Sequence, residues 1–127
     1  MEKKPLSETF GFLLSGGRFT DCIEEQGPRY RQAHFQSPRV VLRIAEQDEI
    51  TSQGVSVTCL AFLVDPKNRN RWCMFEKAVQ ALLGRKIEGS MSLLELQRNL
   101  RDNIDPILEL LARGSEPPFE DFSRFGD

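Results

Sequence analysis

Strand-forming stretches follow one another through the first half of this chain without a helix between them. Stretches at 18–25 and 30–36 flank the turn signal Gly27-Pro28, and Arg39–Ala45 and Val55–Val64 come after them. Parallel strands need a long crossover connection, whereas antiparallel neighbours are joined by short turns. The order therefore predicts a four-stranded antiparallel meander and argues against a parallel α/β sheet.

The last two predicted strands differ in how their apolar residues are spaced. In Arg39–Ala45 every second residue from Val40 to Ile44 is apolar, which is typical of a strand with one buried face. Val55–Val64 is almost wholly apolar or β-branched, which indicates a central strand that is covered on both faces or buried at an interface. The polar stretch Glu46–Gly54 between them is interpreted as a loop or a hairpin end.

Helical patterns stand at both ends of the chain. Ser7 is placed to cap a short helix that runs to Leu14, before the glycines at 16 and 17. A polar loop at 67–71 is predicted to lead into a second helix, Trp72–Leu83. The predicted fold class is α+β: a short N-terminal helix, an antiparallel four-stranded meander and two C-terminal helices packed on one face of the sheet.

The final helix covers the leucine-rich stretch 92–114. Ser92 and Glu95 have the spacing of a capping box, in which each side chain satisfies a free amide at the start of the helix. Pro106 interrupts the pattern, so the helix is predicted to kink there or to restart with Asp105 as its cap.

An acidic tail that carries three phenylalanines follows this helix. We predict a single α+β domain at 1–114 and a tail at 115–127. Rings of this size are buried either against the chain's own body or in a partner, and both alternatives stay open. The predicted partner-binding residues are Phe119, Glu120, Asp121, Phe122, Phe125, Arg39 and Arg43.

Arg39 and Arg43 belong to this set because they lie with other arginines on adjacent predicted strands. Solvated charge explains them most simply, an acidic protein partner ranks second and nucleic acid third. The net charge of −2 gives no general attraction for a phosphate backbone, which argues against nucleic acid.

The chain has few residues that could form a catalytic or metal site. His34 is its only histidine, and the sequence around it is that of a strand rather than of a nucleophile–base pair. Cys22, Cys59 and Cys73 are scattered in apolar sequence without Cys-x-x-Cys spacing, so they are interpreted as small buried residues. We therefore predict no enzymatic activity, no metal and no cofactor.

The apolar segments of the chain are short. None approaches the ~20 residues that span a bilayer, and the N-terminus lacks the apolar core and cleavage site of a signal peptide. We expect a cytoplasmic protein that does not contact a membrane.

Part of the chain resembles a group of small bacterial proteins. The stretches FQSPRVVLRIAEQDEI, VSVTCLAFLV, WCMFEKAVQALLG and SLLELQRNLRDNIDPILELL are similar to uncharacterised bacterial proteins in which a strand meander precedes a helix and then a leucine-rich helix. Those proteins look like the immunity proteins that neutralise bacterial toxins, which are small, acidic, α+β and non-enzymatic. The resemblance covers about two thirds of the chain and implies no site residue, because that group shares no site motif.

These features predict a non-catalytic protein-binding module, in the specific form of a bacterial immunity protein that neutralises a toxin by direct binding. Toxins that cut nucleic acid are basic, and a chain with a pI of 5.5 is steered towards them. One alternative is a secretion-type chaperone or adaptor that forms a homodimer through Val55–Val64. The other is an enzyme that uses His34 with Cys22, Cys59 or a carboxylate.

Overall fold

The computed structural model describes residues 4–89 and 91–122. The helical turns α1 (Leu6–Thr9) and α2 (Phe12–Ser15) precede the strands β1 (Asp21–Gln26), β2 (Tyr30–Gln36), β3 (Val41–Thr51), β4 (Gly54–Asp65) and β5 (Asn68–Met74). The helices α3 (Phe75–Leu83) and α4 (Leu93–Ala112) and the short strand β6 (Glu120–Asp121) follow.

These strands form one antiparallel sheet in the order β1-β2-β3-β4-β5-β6. Each strand lies beside the strand that precedes it in the chain, which is what short connections favour. Met91 adds a single bridge to Cys59 of β4 through two backbone hydrogen bonds of 2.8 and 3.2 Å. The α+β class and the antiparallel pairing are confirmed, whereas the prediction of four strands is wrong.

Strand β5 occupies the segment that the sequence assigns to a polar loop and to the start of a helix. Trp72 and Cys73 pair with Val64 and Leu63 of β4, so α3 begins only at Phe75. The polar residues that open β5 have little β-propensity of their own. The edge of β4 offers their backbone groups hydrogen-bond partners, and this tertiary contact outweighs the local preference.

Of the two interpretations of the stretch 46–54, the hairpin end is confirmed and the loop is wrong, so the strands of the β3–β4 hairpin are longer than predicted. Strand β3 continues to Thr51, and β4 begins at Gly54, whose φ of +126° suits glycine and strains other residues. Strand β2 pairs with β3 only as far as Gln47. Beyond that point residues 48–57 extend as a two-stranded projection, which we name the β-arm.

The helices pack on one face of the sheet, which we name the inner face. The predicted alternation in β3 is confirmed, since Val40, Leu42 and Ile44 are fully buried there while Arg43 points to the opposite face beside Phe62. The largest fully buried side chains of this core are Leu6, Phe10, Leu13, Phe19, Phe35, Leu42, Ile44, Leu63, Phe75, Leu96, Leu100 and Ile104.

The predicted N-terminal helix is two separate turns, α1 and α2. Pro5 rather than Ser7 precedes the first turn, and no side chain of the described residues caps it. The amide of Ser7 instead donates to Glu24 Oε1 at 2.9 Å and so ties α1 to strand β1. Four-residue turns are too short to be stable alone, so the burial of Leu6 and Leu13 in the core holds them in place.

Helix α4 begins with the predicted capping box. The amide of Glu95 donates to Ser92 Oγ at 3.2 Å, and the amide of Ser92 donates to Glu95 Oε1 at 3.4 Å. The helix does not restart at Pro106 but runs through it. Pro106 has no N–H to give the carbonyl of Asp102 one turn earlier, and Arg85 Nη1 lies 3.4 Å from that oxygen as a replacement donor.

We name the other face of the sheet the outer face. Its apolar cluster consists, among the described residues, of strand side chains: Val41, Phe62 and Val64, with Ala45, Leu60, Trp72 and Met74 packed against them. Strand β4 is therefore apolar on both faces from Leu60 to Val64, as predicted for a central strand. Its first residues differ, because Val55 and Val57 are exposed in the β-arm.

Candidate functional site

A row of five directly paired residues crosses the outer face. The register aligns Ile23 of β1, His34 of β2, Arg43 of β3, Phe62 of β4 and Met74 of β5. Directly opposed residues in an antiparallel sheet share a face, so these side chains are neighbours. The row begins at the exposed Ile23, and its fourth residue, Phe62, is buried.

Three aromatic rings and one arginine form the centre of this face. The ring of Phe62 meets Trp72 edge to face, with centroids 5.4 Å apart, and Phe122 stacks on Trp72 at 4.2 Å. The guanidinium carbon of Arg43 lies 4.4 Å from the centroid of Phe62 and 5.9 Å from that of Trp72. Both distances allow a cation–π contact. We name Arg43, Phe62, Trp72 and Phe122 the aromatic–arginine cluster.

Two buried nitrogen atoms, one within this cluster and one next to it, lack a hydrogen-bond partner within residues 4–89 and 91–122. They are Nε2 of His34 and Nε of Arg43, which lie on paired residues. A buried polar atom without a partner costs about 1–3 kcal/mol, so an incoming ligand that bonded to either atom would recover that cost. The outer face therefore has hydrogen-bonding capacity that the described residues do not use.

His34 is half-buried among charges of both signs. Burial lowers the pKa of His34, Arg43 and Arg69 lower it further, and Glu25 opposes them with its carboxylate 4.0 Å from Nε2. Burial also lowers the pKa of Arg43. At neutral pH His34 is therefore uncharged, and Arg43 supplies the positive charge at the centre of the face.

Acidic residues lie at both edges of the outer face. Glu25 of β1 has a side chain that is 58% exposed, and Glu120 of β6 is exposed opposite Trp72 in the register. The outer face thus has an aromatic and cationic centre between two acidic edges.

The structure separates the predicted partner-binding residues into two groups. Arg43 and Phe122 belong to the aromatic–arginine cluster, with Glu120 at its edge. Arg39 and Phe119 instead line a cleft of about 390 Å³ beside the C-terminal end of α4. Asp121 pairs with Arg71 in the sheet, and Phe125 lies outside the described residues.

The described part of the tail contacts the body of this chain. Phe119 packs against the inner core and lies 5.4 Å below the guanidinium of Arg71, and Phe122 stacks on Trp72. Its strand β6 adds to the edge of β5. The rings of Phe119 and Phe122 therefore follow the first of the two alternatives, since both are half-buried against the chain itself.

Sequence reasoning missed Phe62, Trp72 and His34 as members of this face. Phe62 lies in the part of β4 that is apolar on both faces, so the sequence pattern does not assign it to the face of Arg43. Trp72 was not placed because the segment around it reads as the start of a helix. The register between strands, which brings His34 beside Arg43, has no local signal in the sequence.

The cysteines lie away from His34. Cys22 and Cys59 face the inner core, whereas His34 lies on the outer face, so the two sides of the sheet separate the proposed nucleophiles from the only histidine. Burial raises the pKa of Cys22 to about 11 and that of Cys73 to about 12, which keeps both thiols protonated at neutral pH. Among the described residues no group of three or more His, Cys, Asp or Glu side chains could hold a metal ion.

Comparison with protein-family models, with curated proteins and with solved structures finds no match to this chain. The resemblance to toxin-immunity proteins therefore stays a prediction. Of the helices within 4–89 and 91–122, none has the length and apolar composition needed to cross a membrane.

Proposed function

We propose that this chain is a non-catalytic protein-binding module that binds its partner on the outer face. The aromatic–arginine cluster is the observation that carries the proposal. Tryptophan and arginine are enriched among the residues that dominate binding energy at protein interfaces, and clusters of such residues are central to them. Ile23 lies in the same row as Arg43, two strands away, and is 48% exposed, so it extends the apolar area available to a partner.

The acidic edges favour a partner with basic residues around an apolar centre. Glu25 and Glu120 flank the cluster, and the chain carries a net charge of −2. Complementary charges at the rim of an interface speed association and select partners. A bacterial immunity protein that blocks a basic toxin domain is the narrower form of this proposal.

The tail has a part in this binding surface. Phe122 stacks on Trp72 and enlarges the cluster, while Glu120 contributes negative charge at its edge. In this proposal the tail folds back and also presents Phe122 to the partner, so that its burial on the chain and its role in binding are compatible.

The two unsatisfied nitrogen atoms of Arg43 and His34 add specificity. Nε of Arg43 and Nε2 of His34 are buried, so a partner can bond to them only if these side chains rotate outwards. Both atoms already lie buried without a bond to any described residue of the free chain, so a partner that bonds to them gains free energy and one that does not gains none from them.

Site-specific photo-crosslinking in the source cell tests the proposal. A crosslinking residue replaces Ile23 on the outer face or, as control, the exposed Ala81 of α3 on the helical side. We expect position 23, and not position 81, to capture one protein. With that protein purified, Ile23→Glu should weaken binding by roughly tenfold or more, while Ala81→Glu changes it little. Capture only from position 81, or equal affinity of both variants, would overturn the proposal.

A further inference from the structure

Strand β1 forms an open edge of the sheet. All of its residues, Asp21–Gln26, pair with β2, and among residues 4–89 and 91–122 no strand lies on its other side. At the opposite end of the sheet the tail strand β6 lies along β5. The described part of the tail therefore covers a stretch of one outer edge, whereas the edge of β1 has no such cover from the described residues.

The backbone of β1 directs hydrogen-bonding groups towards this open side. Alternate residues of an antiparallel strand bond to opposite neighbours. The amide of Gly27 donates to the carbonyl of Tyr30 at 2.9 Å, so the residues at 21, 23 and 25, which have the same parity, bond to β2. Cys22, Glu24 and Gln26 therefore direct their backbone groups outwards. The amide of Cys22 accordingly donates to a side chain, that of the preceding residue, at 2.8 Å.

The edge of β1 has few of the devices that stop a further strand from pairing. Proteins protect open edges with prolines, bulges, lysines or a covering segment. Strand β1 contains neither proline nor lysine, and its register with β2 is regular from Asp21 to Gln26. Five of its six residues are exposed. The edge is therefore accessible and extended, as strand addition by another chain requires.

The charged side chains of β1 are all carboxylates. Asp21 and Glu25 lie on the outer face on either side of Ile23, because residues two apart in a strand share a face. Glu24 lies on the other face, where it accepts a hydrogen bond of 2.9 Å from the amide of Ser7. The outer side of this edge thus presents carboxylate, isoleucine and carboxylate in alternation.

The cations around β1 lie beyond its ends or beyond β2. Arg18 forms an ion pair with Asp105 of α4, and Arg29 follows β1 in the turn to β2. Arg43 and Arg69 belong to β3 and β5, which β2 separates from the open edge. A strand added along β1 therefore meets carboxylates as its nearest charges.

We propose that the partner adds a basic strand to the open edge of β1. This inference rests on the proposed function, because the same partner covers Ile23 on the outer face. A strand beside β1 lies opposite Asp21, Ile23 and Glu25 at every second residue, so its matching side chains are basic, apolar and basic in alternation. Its backbone bonds to the outward groups of Glu24 and Gln26, which supplies affinity, and the alternating side chains supply selectivity.

A second copy of this chain does not fit the same edge. Antiparallel pairing of β1 with β1 about a two-fold axis at Ile23 places Asp21 opposite Glu25 of the other copy. An axis at Glu24 places that carboxylate opposite its own counterpart. Like charges directly opposite each other destabilise a strand pair. The charges that select a basic strand therefore also oppose self-pairing.

Amide hydrogen exchange of the ¹⁵N-labelled full chain tests strand addition with a peptide probe. The probe, Lys-Thr-Val-Thr-Lys-Thr-Val-Thr-Lys, has the alternation of basic and apolar side chains that the edge requires. We expect it to slow exchange at the amides of Glu24 and Gln26, and the same peptide with glutamate in place of lysine should bind at least about tenfold more weakly. No binding of the lysine peptide at millimolar concentration, binding without slower exchange at these amides, or slower exchange caused by a high concentration of the chain alone would each overturn the proposal.

Two substitutions at Glu24 separate the backbone from the side chain. Glu24→Pro removes the amide that faces the open side, while the residues that bond to β2 keep theirs. Glu24→Ala is the matched control, because it removes the same carboxylate but keeps the amide. We expect Glu24→Pro to bind the lysine peptide about tenfold more weakly than Glu24→Ala does. Circular dichroism verifies that both variants are folded, and the exchange measurement on the natural chain needs neither of them.

The protein captured at position 23 separates failure of strand addition from failure of the proposed function. A captured protein that loses affinity through Ile23→Glu, but binds Glu24→Pro and Glu24→Ala equally, contacts the outer face without adding a strand, and strand addition alone is then wrong. Where Ile23→Glu has no effect, the proposed function is wrong, and slower exchange at Glu24 and Gln26 with the lysine peptide still supports an edge that accepts a basic strand.

Discussion

The salt bridge between Arg31 and Glu46 is the most informative place to perturb this fold. Arg31 Nε and Nη2 donate to the two oxygens of Glu46 at 2.9 and 3.0 Å, and the two side chains are 15% and 5% exposed. Arg31→Met removes the guanidinium and leaves the Glu46 carboxylate buried without it. Loss of one partner from a buried ion pair costs about 3–5 kcal/mol.

A loss of this size is large for a domain of 127 residues. Natural domains are stable by about 5–15 kcal/mol, so Arg31→Met should remove about a fifth or more of the free energy of unfolding and lower the Tm by roughly 10–20 °C. Urea denaturation, followed by the fluorescence of the single tryptophan Trp72, measures the change. All variants are compared at one low protein concentration, so that self-association contributes equally.

Two further variants separate burial from charge. The exposed pair of Arg113 and Glu109 is shorter, at 2.6 Å, but its side chains are 70% and 63% exposed, so Arg113→Met should cost less than about 1 kcal/mol. The double variant Arg31→Met/Glu46→Leu removes both buried charges and should recover most of the lost stability. If Arg31→Met costs no more than Arg113→Met, the reasoning from burial is wrong.

Three other predictions concern single side chains. Ser92→Ala removes the capping box of α4 and should cost about 1 kcal/mol in urea denaturation; no measurable change would contradict the cap. Leu100→Ala opens a cavity in the inner core and should cost about 2–5 kcal/mol, whereas Leu94→Ala, at a position 66% exposed, should be nearly neutral. Burial lowers the pKa of His34 below 6.5 in the folded chain, so the unfolded chain binds a proton more readily than the folded chain does. The free energy of unfolding should therefore fall as the pH drops below 6.5 towards the pKa of the folded state. An NMR titration of this single histidine should have its midpoint below 6.5, and a midpoint at or above 6.5 would refute the effect of burial.

Part of the candidate site could be predicted from the sequence. Arg43 and Phe122 were expected to bind a partner, and the structure places both in the aromatic–arginine cluster of the outer face. Their common neighbour Trp72 could not be predicted, because its own segment resembles a helix start. The partner-binding role of these residues stays a prediction, and the crosslinking experiment at Ile23 is its test.

The sequence by itself determined the features that depend on neighbours along the chain. The alternation from Val40 to Ile44 specifies which face of β3 is buried, and Ser92 with Glu95 specifies where α4 begins. Gly84 ends α3 in the left-handed conformation with a φ of 67°. These features can be predicted because their causes act over a few neighbouring positions. The causes are the two-residue period of a strand, the three-residue spacing of a capping box and the missing Cβ of glycine.

Only the tertiary structure decided the features that depend on contacts distant in sequence. Strand β5 exists because the edge of β4 satisfies its backbone, and α4 continues through Pro106 while Arg85 donates to the carbonyl that the proline leaves unpaired. Glu46 looks like a loop residue until Arg31 of the neighbouring strand compensates its charge in the interior. In each case a residue distant in sequence supplies the hydrogen-bond or charge partner of a polar group. The residues next to that polar group do not indicate this partner, so it cannot be predicted from the local sequence.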